Sequence, residues 1–205
     1  MKKSTIAVMI AFMTLGGCAK VRYPDYYTLS LPHPISVSRD SRPIPASVAV
    51  REFRAPEYLR QGPIVYRPEP EEIAFYDYHR WAEDPRQSVT TTIVRELKPV
   101  FESVELYDGR TGAEFVLTGS LDHLEEVDSA RSLSVAVGIS AKLQNVKTGN
   151  VIWSDSSLKT SEVSQRLLPA VVAEMSRDLD EAVTQLVSSM RSQVSQSSFR
   201  ADTTK

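Results

Sequence analysis

The fold of this chain is decided by the stretch Leu133-Ser-Val-Ala-Val-Gly-Ile-Ser-Ala-Lys-Leu143. Every second residue in it is apolar and the residues between are mostly small, which is the period-two pattern of a strand with one buried face. A turn follows at Lys147-Thr-Gly-Asn150, and the segment from Val151 to Lys159 predicts the returning strand of a hairpin. Ala113 to Leu124 predicts a further strand before the stretch. We therefore expect an antiparallel meander in the second half of the chain.

Two helices are predicted around this meander. Asp84 followed by Pro85 has the pattern of an N-cap with proline at the first helical position, and apolar residues recur after it at near-helical spacing up to Phe101. Pro169 opens a second, longer helix. Its apolar residues follow steps of three and four, which is typical of a helix with one buried face, and they are Leu168, Val172, Met175, Leu179, Ala182, Leu186 and Met190.

Shorter segments rich in β-formers complete the fold. They are Tyr26 to Leu29 at an edge, Ser47 to Phe53, Ile64 to Tyr66, Ile73 to His79 and Ser103 to Tyr107. Because the first helix connects two of these strands as a crossover, we expect part of the sheet to be parallel and right-handed. The order predicts an α+β fold, or α/β sandwich, in which a mixed β-sheet with an antiparallel meander carries two main helices on one face.

The first residues have the features of an export signal. Lys2 and Lys3 form a basic start, an apolar core ends at Leu15, and Cys18 is the only cysteine of the chain. The core is shorter than the roughly 20 apolar residues that cross a bilayer, so cleavage before Cys18 is favoured over a retained transmembrane helix. Leu15-Gly16-Gly17-Cys18 resembles the bacterial lipobox, which implies that Cys18 carries diacylglycerol and a further acyl chain such as palmitate. A buried or surface thiol is the alternative for Cys18.

The same pattern predicts the domain organisation and the location. We expect a cleaved signal over residues 1–17, a lipidated tether over 18–25, a single domain over 26–190 and a disordered C-terminal tail over 191–205. In Gram-negative lipoproteins an aspartate directly after the lipidated cysteine tends to retain the protein at the inner membrane, and Ala19 and Lys20 lack that mark. The resemblance therefore implies an anchor in the periplasmic leaflet of the outer membrane.

Composition and spacing argue against several function classes. The chain has 24 basic and 26 acidic residues, and a net charge of −2 offers little electrostatic attraction for nucleic acid. Its three histidines, His33, His79 and His123, are isolated in sequence, and no spacing typical of a zinc site or of a glycine-rich phosphate loop occurs. His123 is interpreted as a satisfied, half-buried strand residue. We therefore expect neither a metal nor a cofactor.

Two polar groupings are candidate sites of chemistry. Asp77 and His79 fall on the same face of a predicted strand, but no Gly-x-Ser-x-Gly elbow supports a hydrolase. Glu125 and Glu126 with Asp128 form an acidic cluster, which is interpreted as a solvated hairpin end because calcium needs six or more oxygen ligands in order. We expect that the protein is not an enzyme.

The densest polar and aromatic segment runs from Tyr76 to Pro85. Tyrosine, tryptophan and arginine combine apolar area with polar tips and are enriched at interfaces, so the segment favours a contact surface over catalysis. The alternative is that Tyr76, Tyr78 and Trp81 fill the space between sheet and helix. Together with the proline-rich segment 54–72, the predicted partner-binding residues are Tyr58, Tyr66, Tyr76, Tyr78, Arg80 and Trp81.

Five short segments, taken together, form a distinctive combination. They are Tyr26-Tyr-Thr-Leu29, Val48-Ala-Val50, Tyr58-Leu59, Ile64-Val-Tyr-Arg67 and Tyr76-Asp-Tyr-His-Arg-Trp-Ala-Glu83. In this combination the chain resembles the ABC-type transport auxiliary lipoproteins, the PqiC-like family, over about residues 18–190. The later half, from Ala113 to Ser120 and from Thr148 to Trp153, is also similar to the amino-terminal domain of TolB.

The first resemblance implies a non-enzymatic accessory subunit of an ABC/MCE-type intermembrane lipid transport system. Such a protein would be anchored under the outer membrane and would dock the distal end of an assembly of MCE-domain proteins. A homo-oligomeric ring would match the symmetry of such a partner. The TolB-like half implies the alternative, an envelope lipoprotein that binds a cell-wall synthase or a Tol-type partner.

Overall fold

The computed structural model describes residues 22–31, 42–129 and 132–202. The predicted signal, the lipobox residues Leu15, Gly16 and Gly17, and the lipidation site Cys18 lie outside these ranges, as does His33. Within the ranges, no helix combines the length and the apolar character needed to cross a bilayer.

The described strands form one mixed sheet. They are β1 (Asp25–Tyr27), β2 (Ile44–Val50), β3 (Pro63–Arg67), β4 (Ala74–Trp81), β5 (Phe101–Leu106), β6 (Phe115–Asp128), β7 (Leu133–Asn145) and β8 (Val151–Glu162). β6, β7 and β8 pair with one another in antiparallel order. This confirms the meander that the alternating pattern of β7 predicts.

β6 is the strand around which the sheet is organised. β7 pairs with it along its whole length, from Phe115 opposite Asn145 to Asp128 opposite Leu133. On its other edge, β2 pairs in parallel with its first residues and β3 pairs in parallel with its last ones. The sheet therefore divides on that side into two branches, β2–β5 and β3–β4–β1.

Both predicted helices are present. α1 (Pro85–Leu97) begins at the predicted cap, where the Asp84 carboxylate accepts a hydrogen bond from the Arg86 N–H at 2.9 Å. α2 (Leu168–Asp202) buries its predicted stripe, since every stripe residue from Val172 to Met190 is at most 6% exposed. α2 packs along β7 and β8, and α1 packs against β5 and α2. The two helices thus cover one face of the sheet, as the sequence predicts.

The prediction that α1 forms a parallel crossover is wrong. α1 leads from β4 to β5, but β4 is antiparallel to β3, and β3 has the direction of β6, β2 and β5. The chain direction reverses between β3 and β4, so α1 joins two strands, β4 and β5, that run in opposite directions. Parallel pairs do occur, between β1 and β4, β3 and β6, and β2 with both β5 and β6. The periodicity of a strand indicates its buried face and not its neighbour, so it did not reveal these pairings.

α2 continues beyond the predicted domain boundary. The sequence predicts a disordered tail over residues 191–205, whereas the helix runs to Asp202 and Val194 is 4% exposed. Val187, Met190 and Val194 extend the buried stripe at steps of three and four residues. Adding residues to an existing helix is far easier than nucleating a new one, so these few apolar residues are sufficient to continue α2 past Met190.

The two faces of the meander differ in character. On the face under the helices, the apolar residues of β7 from Leu133 to Leu143 are at most 6% exposed. The opposite face, here called the outward face, carries the small and polar residues of the same strands, among them Ser134, Ser140, Lys142, Ser154, Ser156 and Leu158. Leu158 is 65% exposed, so this face meets solvent.

Candidate partner-binding site

A row of rings crosses β3, β4 and β1. The centroids of Tyr66 and Tyr76 lie 4.9 Å apart, and those of Tyr76 and His79 lie 5.5 Å apart. His79 then meets Tyr27, with 5.6 Å between ring centroids and 3.2 Å between Nδ1 and the hydroxyl. Strict alternation would send Tyr76 and His79 to opposite faces, but the pairing of β3 with β4 shifts register, so both rings reach the same face.

The row is fixed to β6 by a buried carboxylate. The Tyr76 hydroxyl lies 3.0 Å from both carboxylate oxygens of Glu126, to which it donates, and Glu126 is 3% exposed. Burial raises the pKa of Glu126; the Tyr76 hydrogen bond and Arg166 oppose this rise, and the charge of Asp128 adds to it. Burial together with the Glu126 charge also raises the pKa of Tyr76 above its usual range. Tyr76 is therefore a neutral donor at physiological pH.

The stability of a Glu126→Gln variant relative to the wild type should rise with pH. The pKa of Glu126 is raised in the folded state, so the protonated carboxyl group stabilises the folded wild type. This contribution to the free energy of unfolding is fully present below the pKa of the unfolded chain and is lost as pH rises through the pKa of the folded state. The amide does not ionise, yet its oxygen still accepts from Tyr76. Urea unfolding from about pH 4 to about pH 8 measures the difference. A difference that stays constant with pH would contradict the assignment.

A second buried carboxylate lies on the outward face. Glu125 accepts a hydrogen bond from Arg67 Nε at 2.5 Å and one from the Tyr58 hydroxyl at 3.0 Å. Its Oε1 also lies 3.1 Å from His123 Nδ1, and its side chain is 2% exposed. Burial and the Glu125 charge raise the pKa of Tyr58. We call Glu125, Arg67, Tyr58 and His123 the Glu125 cluster.

The interpretation of Glu125 and Glu126 as a solvated hairpin end is therefore wrong. Both side chains are buried because tyrosines and an arginine from segments more than 45 residues away lie over them. No local pattern around Glu125 indicates these distant partners. The interpretation of His123 is confirmed, since it is half-buried and its Nδ1 has a partner in the cluster.

An exposed group of tyrosines lies at the β1 edge of the sheet. Tyr23 is 79% exposed, Tyr26 63% and Tyr78 39%, and we call these three residues the tyrosine edge. Tyr26 pairs with Arg80 in the register of β1 with β4, so Tyr26 and Tyr78 share one face. The Arg22 guanidinium lies 4.4 Å from the centroid of the Tyr78 ring. Sequence reasoning selected Tyr78 but missed Tyr26, which lies in the edge strand, and Tyr23, which lies just before it.

The six predicted partner-binding residues therefore fall in different environments. Tyr58, Tyr66 and Tyr76 are half-buried and engaged in the contacts above, and Tyr78 is exposed. Arg80 is half-buried and donates through Nη2 to the Gln61 carbonyl oxygen at 3.3 Å. Trp81 is 6% exposed and belongs to the hydrophobic core. For Trp81 the structure thus supports the alternative in which the ring fills space inside the fold.

His79 is half-buried and contacts two residues of β1. Its Nδ1 lies 3.6 Å from the Asp25 carboxylate and 3.2 Å from the Tyr27 hydroxyl, whereas Asp77 is exposed. In the part of the chain that the structure describes, no three His, Cys, Asp or Glu side chains are grouped to hold a metal ion.

A known family matches most of the sequence. The family described as ABC-type transport auxiliary lipoprotein component matches residues 27–187. This chain belongs to that family. It is therefore an auxiliary component of a transport system, which implies a partner, and as a lipoprotein it belongs to the cell envelope. No curated protein is similar enough to count as a relative.

Solved structures confirm the fold of this auxiliary lipoprotein. Protein XCC0632 from Xanthomonas campestris, of the family DUF330, is 19% identical with a TM-score of 0.74, over 85% of this chain and 98% of that one. An uncharacterized protein is 13% identical with a TM-score of 0.62, over 82% and 99%. The hypothetical protein CT253 from Chlamydia trachomatis is 9% identical with a TM-score of 0.50, over 74% and 98%. At these identities the likeness shows the fold alone.

The family match separates the candidate surfaces of the auxiliary lipoprotein. The matched segment begins at Tyr27 and includes the Glu125 cluster, Tyr78 and the row of rings formed by Tyr66, Tyr76, His79 and Tyr27. Tyr23 and Tyr26 therefore precede the segment that the match covers. The tyrosine edge combines one residue from the matched segment with two from outside it.

Proposed function

We propose that this auxiliary lipoprotein is a non-enzymatic subunit of an ABC/MCE-type intermembrane lipid transport system. It is anchored through Cys18 in the periplasmic leaflet of the outer membrane, where it docks the distal end of an MCE-domain assembly and assists the delivery of lipid. The observation that carries the proposal is the family match over residues 27–187, because an auxiliary transport component works through a partner.

The tyrosine edge supports docking at the β1 side of the sheet. Tyrosine is enriched at protein interfaces because its ring supplies contact area and its hydroxyl supplies a hydrogen bond. β1 ends this branch of the sheet, and a strand at an edge presents unpaired backbone donors and acceptors. An exposed strand with exposed tyrosines is suited to receive another protein chain.

The anchor constrains where docking takes place. Asp25, the first residue of β1, lies seven positions after Cys18 along the chain. An extended chain spans at most about 3.5 Å per residue, so the edge strand lies within about 25 Å of the lipidated cysteine. A partner that binds the tyrosine edge would therefore be held close to the membrane that receives its lipid.

A double variant, Tyr26→Ala with Tyr78→Ala, should lose most of its MCE partner. The two rings share a face, and truncating exposed aromatic anchors at an interface typically costs the largest part of the binding energy. The measurement is co-purification of the partner with the tagged, full-length protein. Leu158→Ala, which truncates a side chain that is 65% exposed on β8, is the matched control and should retain the partner. Full retention by the double variant would contradict docking at this edge.

The same co-purification tests the alternative function. If the tagged wild-type protein retains a cell-wall synthase or a Tol-type protein and never an MCE-domain protein, the proposed partner is wrong. In that case the tyrosine edge could still be the surface that binds, and the double variant would show it.

A Cys18→Ser variant should be found in the soluble envelope fraction. Several acyl chains contribute about 0.8 kcal/mol per buried CH₂, so the lipid accounts for stable attachment. The described domain lies outside this position, so its fold should be unchanged by circular dichroism. Fractionation of cells measures the release, and a variant that remains fully membrane-bound would contradict the lipid anchor.

A further inference from the structure

A groove of about 820 Å³ lies on the outward face at one end of the meander. Its floor is formed by β6 and β7 near Thr118 and Ser140. Its walls are the segment that follows β2, the loop 107–111 after β5, and the turn 145–149 between β7 and β8. The Glu125 cluster lies toward the other end of β6, so the groove is separate from the contacts described above.

The groove is lined by four cationic side chains and no acidic one. The cations are Arg51, Arg54, Arg110 and Lys142. Within the described residues none of the four forms an ion pair, whereas Arg67, Arg86, Arg95 and Arg166 do. The Arg51 guanidinium instead lies 4.2 Å from the centroid of the Tyr107 ring. Four cations that converge on one concave surface without anions favour an anionic ligand.

Two acidic residues, Glu105 and Asp108, flank the groove without lining it, and each accepts a hydrogen bond within the segment 105–111. Glu105 accepts a hydrogen bond from the Thr111 hydroxyl at 2.7 Å, and the Asp108 carboxylate accepts one from the Arg110 N–H at 3.2 Å. Gly109 has a φ of +103°, a backbone conformation that residues with a side chain rarely adopt. This conformation allows the loop to turn. These contacts shape the wall and leave the guanidinium of Arg110 at the groove.

The lining also offers apolar and hydroxyl groups beside the charges. Val116 and Val146 supply apolar surface, and Thr118 and Ser140 supply hydroxyls. Arginine recognises phosphate through two parallel N–H donors, while small apolar side chains accommodate the first carbons of an acyl chain or glycerol. The lining therefore fits an amphipathic anion better than a small ion alone.

We propose that this groove binds the phosphate-bearing headgroup of an anionic phospholipid. The proposal goes beyond docking, because it gives the domain itself a contact with the transported class of molecule. It does not depend on the tyrosine edge, which lies on the other branch of the sheet. Loss of one function therefore need not entail loss of the other.

The test is calorimetric titration of the full-length protein in a nonionic detergent. The probes are dihexanoyl phosphatidylglycerol, its acyl-free headgroup glycerophosphoglycerol, and inorganic phosphate. We expect saturable binding of the short-chain lipid with a dissociation constant of about 10 μM to 1 mM. Glycerophosphoglycerol should bind more weakly and inorganic phosphate most weakly, because each lacks part of the contact.

The variant Arg51→Gln with Arg54→Gln and Lys142→Gln should weaken lipid binding by about tenfold or more. All three side chains are exposed, so the fold should be retained, which thermal unfolding checks. The matched control is Lys98→Gln with Lys159→Gln and Arg177→Gln, which removes the same charge from the helix side of the molecule. It should bind within about twofold of the wild type, since distant surface charges are screened.

Two results would overturn the proposal. If the groove variant binds the lipid as tightly as the charge-matched control, the groove is not the site. If inorganic phosphate binds as tightly as the short-chain lipid, the groove is a free-phosphate site and the lipid assignment is wrong. If the groove variant retains the MCE partner, lipid binding and docking use separate surfaces. If the wild type does not dock an MCE partner, the proposed function fails, but the titration still tests lipid binding by itself.

Discussion

Glu125→Ala should lower the free energy of unfolding by about 3–5 kcal/mol, the largest effect that we expect from a polar substitution in this protein. The carboxylate is 2% exposed and accepts from Arg67 Nε at 2.5 Å, and the Arg67 side chain is itself only 19% exposed. Removing Glu125 leaves that guanidinium without its anion inside the fold. The Tyr58 hydroxyl also loses an acceptor at 3.0 Å. Urea unfolding followed by circular dichroism measures the loss.

An exposed ion pair provides the control for this substitution. Glu57 binds Arg60 at 2.8 Å, but their side chains are 75% and 44% exposed. Glu57→Ala should therefore cost less than about 1 kcal/mol. Replacing both members of the buried pair, with Glu125→Leu and Arg67→Met, should recover part of the loss because no unpaired charge remains. A cost for Glu125→Ala no larger than that for Glu57→Ala would contradict the structural importance of the cluster.

Gly119→Ala should lower the free energy of unfolding by about 1–3 kcal/mol through overpacking. A Cβ at this position would overlap the ring of Phe53 and would lie 2.8 Å from the Ser140 carbonyl oxygen. Phe53 is 1% exposed, so its ring has no open space to enter. The Ser140 oxygen belongs to the backbone of β7, which is paired on both edges. Neither neighbour can give way without disturbing the sheet.

Gly112 provides a matched control for this steric effect. A Cβ added at Gly112 meets no heavy atom within 4 Å. Gly112→Ala should therefore change stability by no more than about 0.5 kcal/mol. If the Phe53 ring causes the loss at Gly119, Phe53→Leu should cost less in the Gly119→Ala background than in the wild type. Equal costs of Phe53→Leu in both backgrounds would show that the two residues do not interact.

The secondary structure was largely predictable because its signals are local. The alternation from Leu133 to Leu143 predicts β7, and Asp84 before Pro85 predicts the start of α1. The period-three-and-four stripe of α2 identifies its buried face, although it did not show that the helix continues past Met190. Each signal depends on neighbours within a few residues along the chain, where periodicity and capping act.

The candidate sites were less predictable because their members come from distant segments. Aromatic composition selected both Tyr78, which is exposed, and Trp81, which is buried in the core. Glu125 looked like a solvated acid because Arg67 and Tyr58, its partners, lie 58 and 67 residues earlier. Residue type predicts a capacity for contact, and burial decides which contact is made.

The sequence by itself determined the strands and helices, the meander, and the family to which the chain belongs, because these depend on local pattern. The tertiary structure decided the rest. It placed β2 and β3 along one edge of β6, which buries Glu125, and it brought Arg51, Arg54 and Lys142 around one groove. The physical reason is that strand pairing joins backbone groups of any sequence, so the choice of neighbour is set by how all the apolar faces pack together.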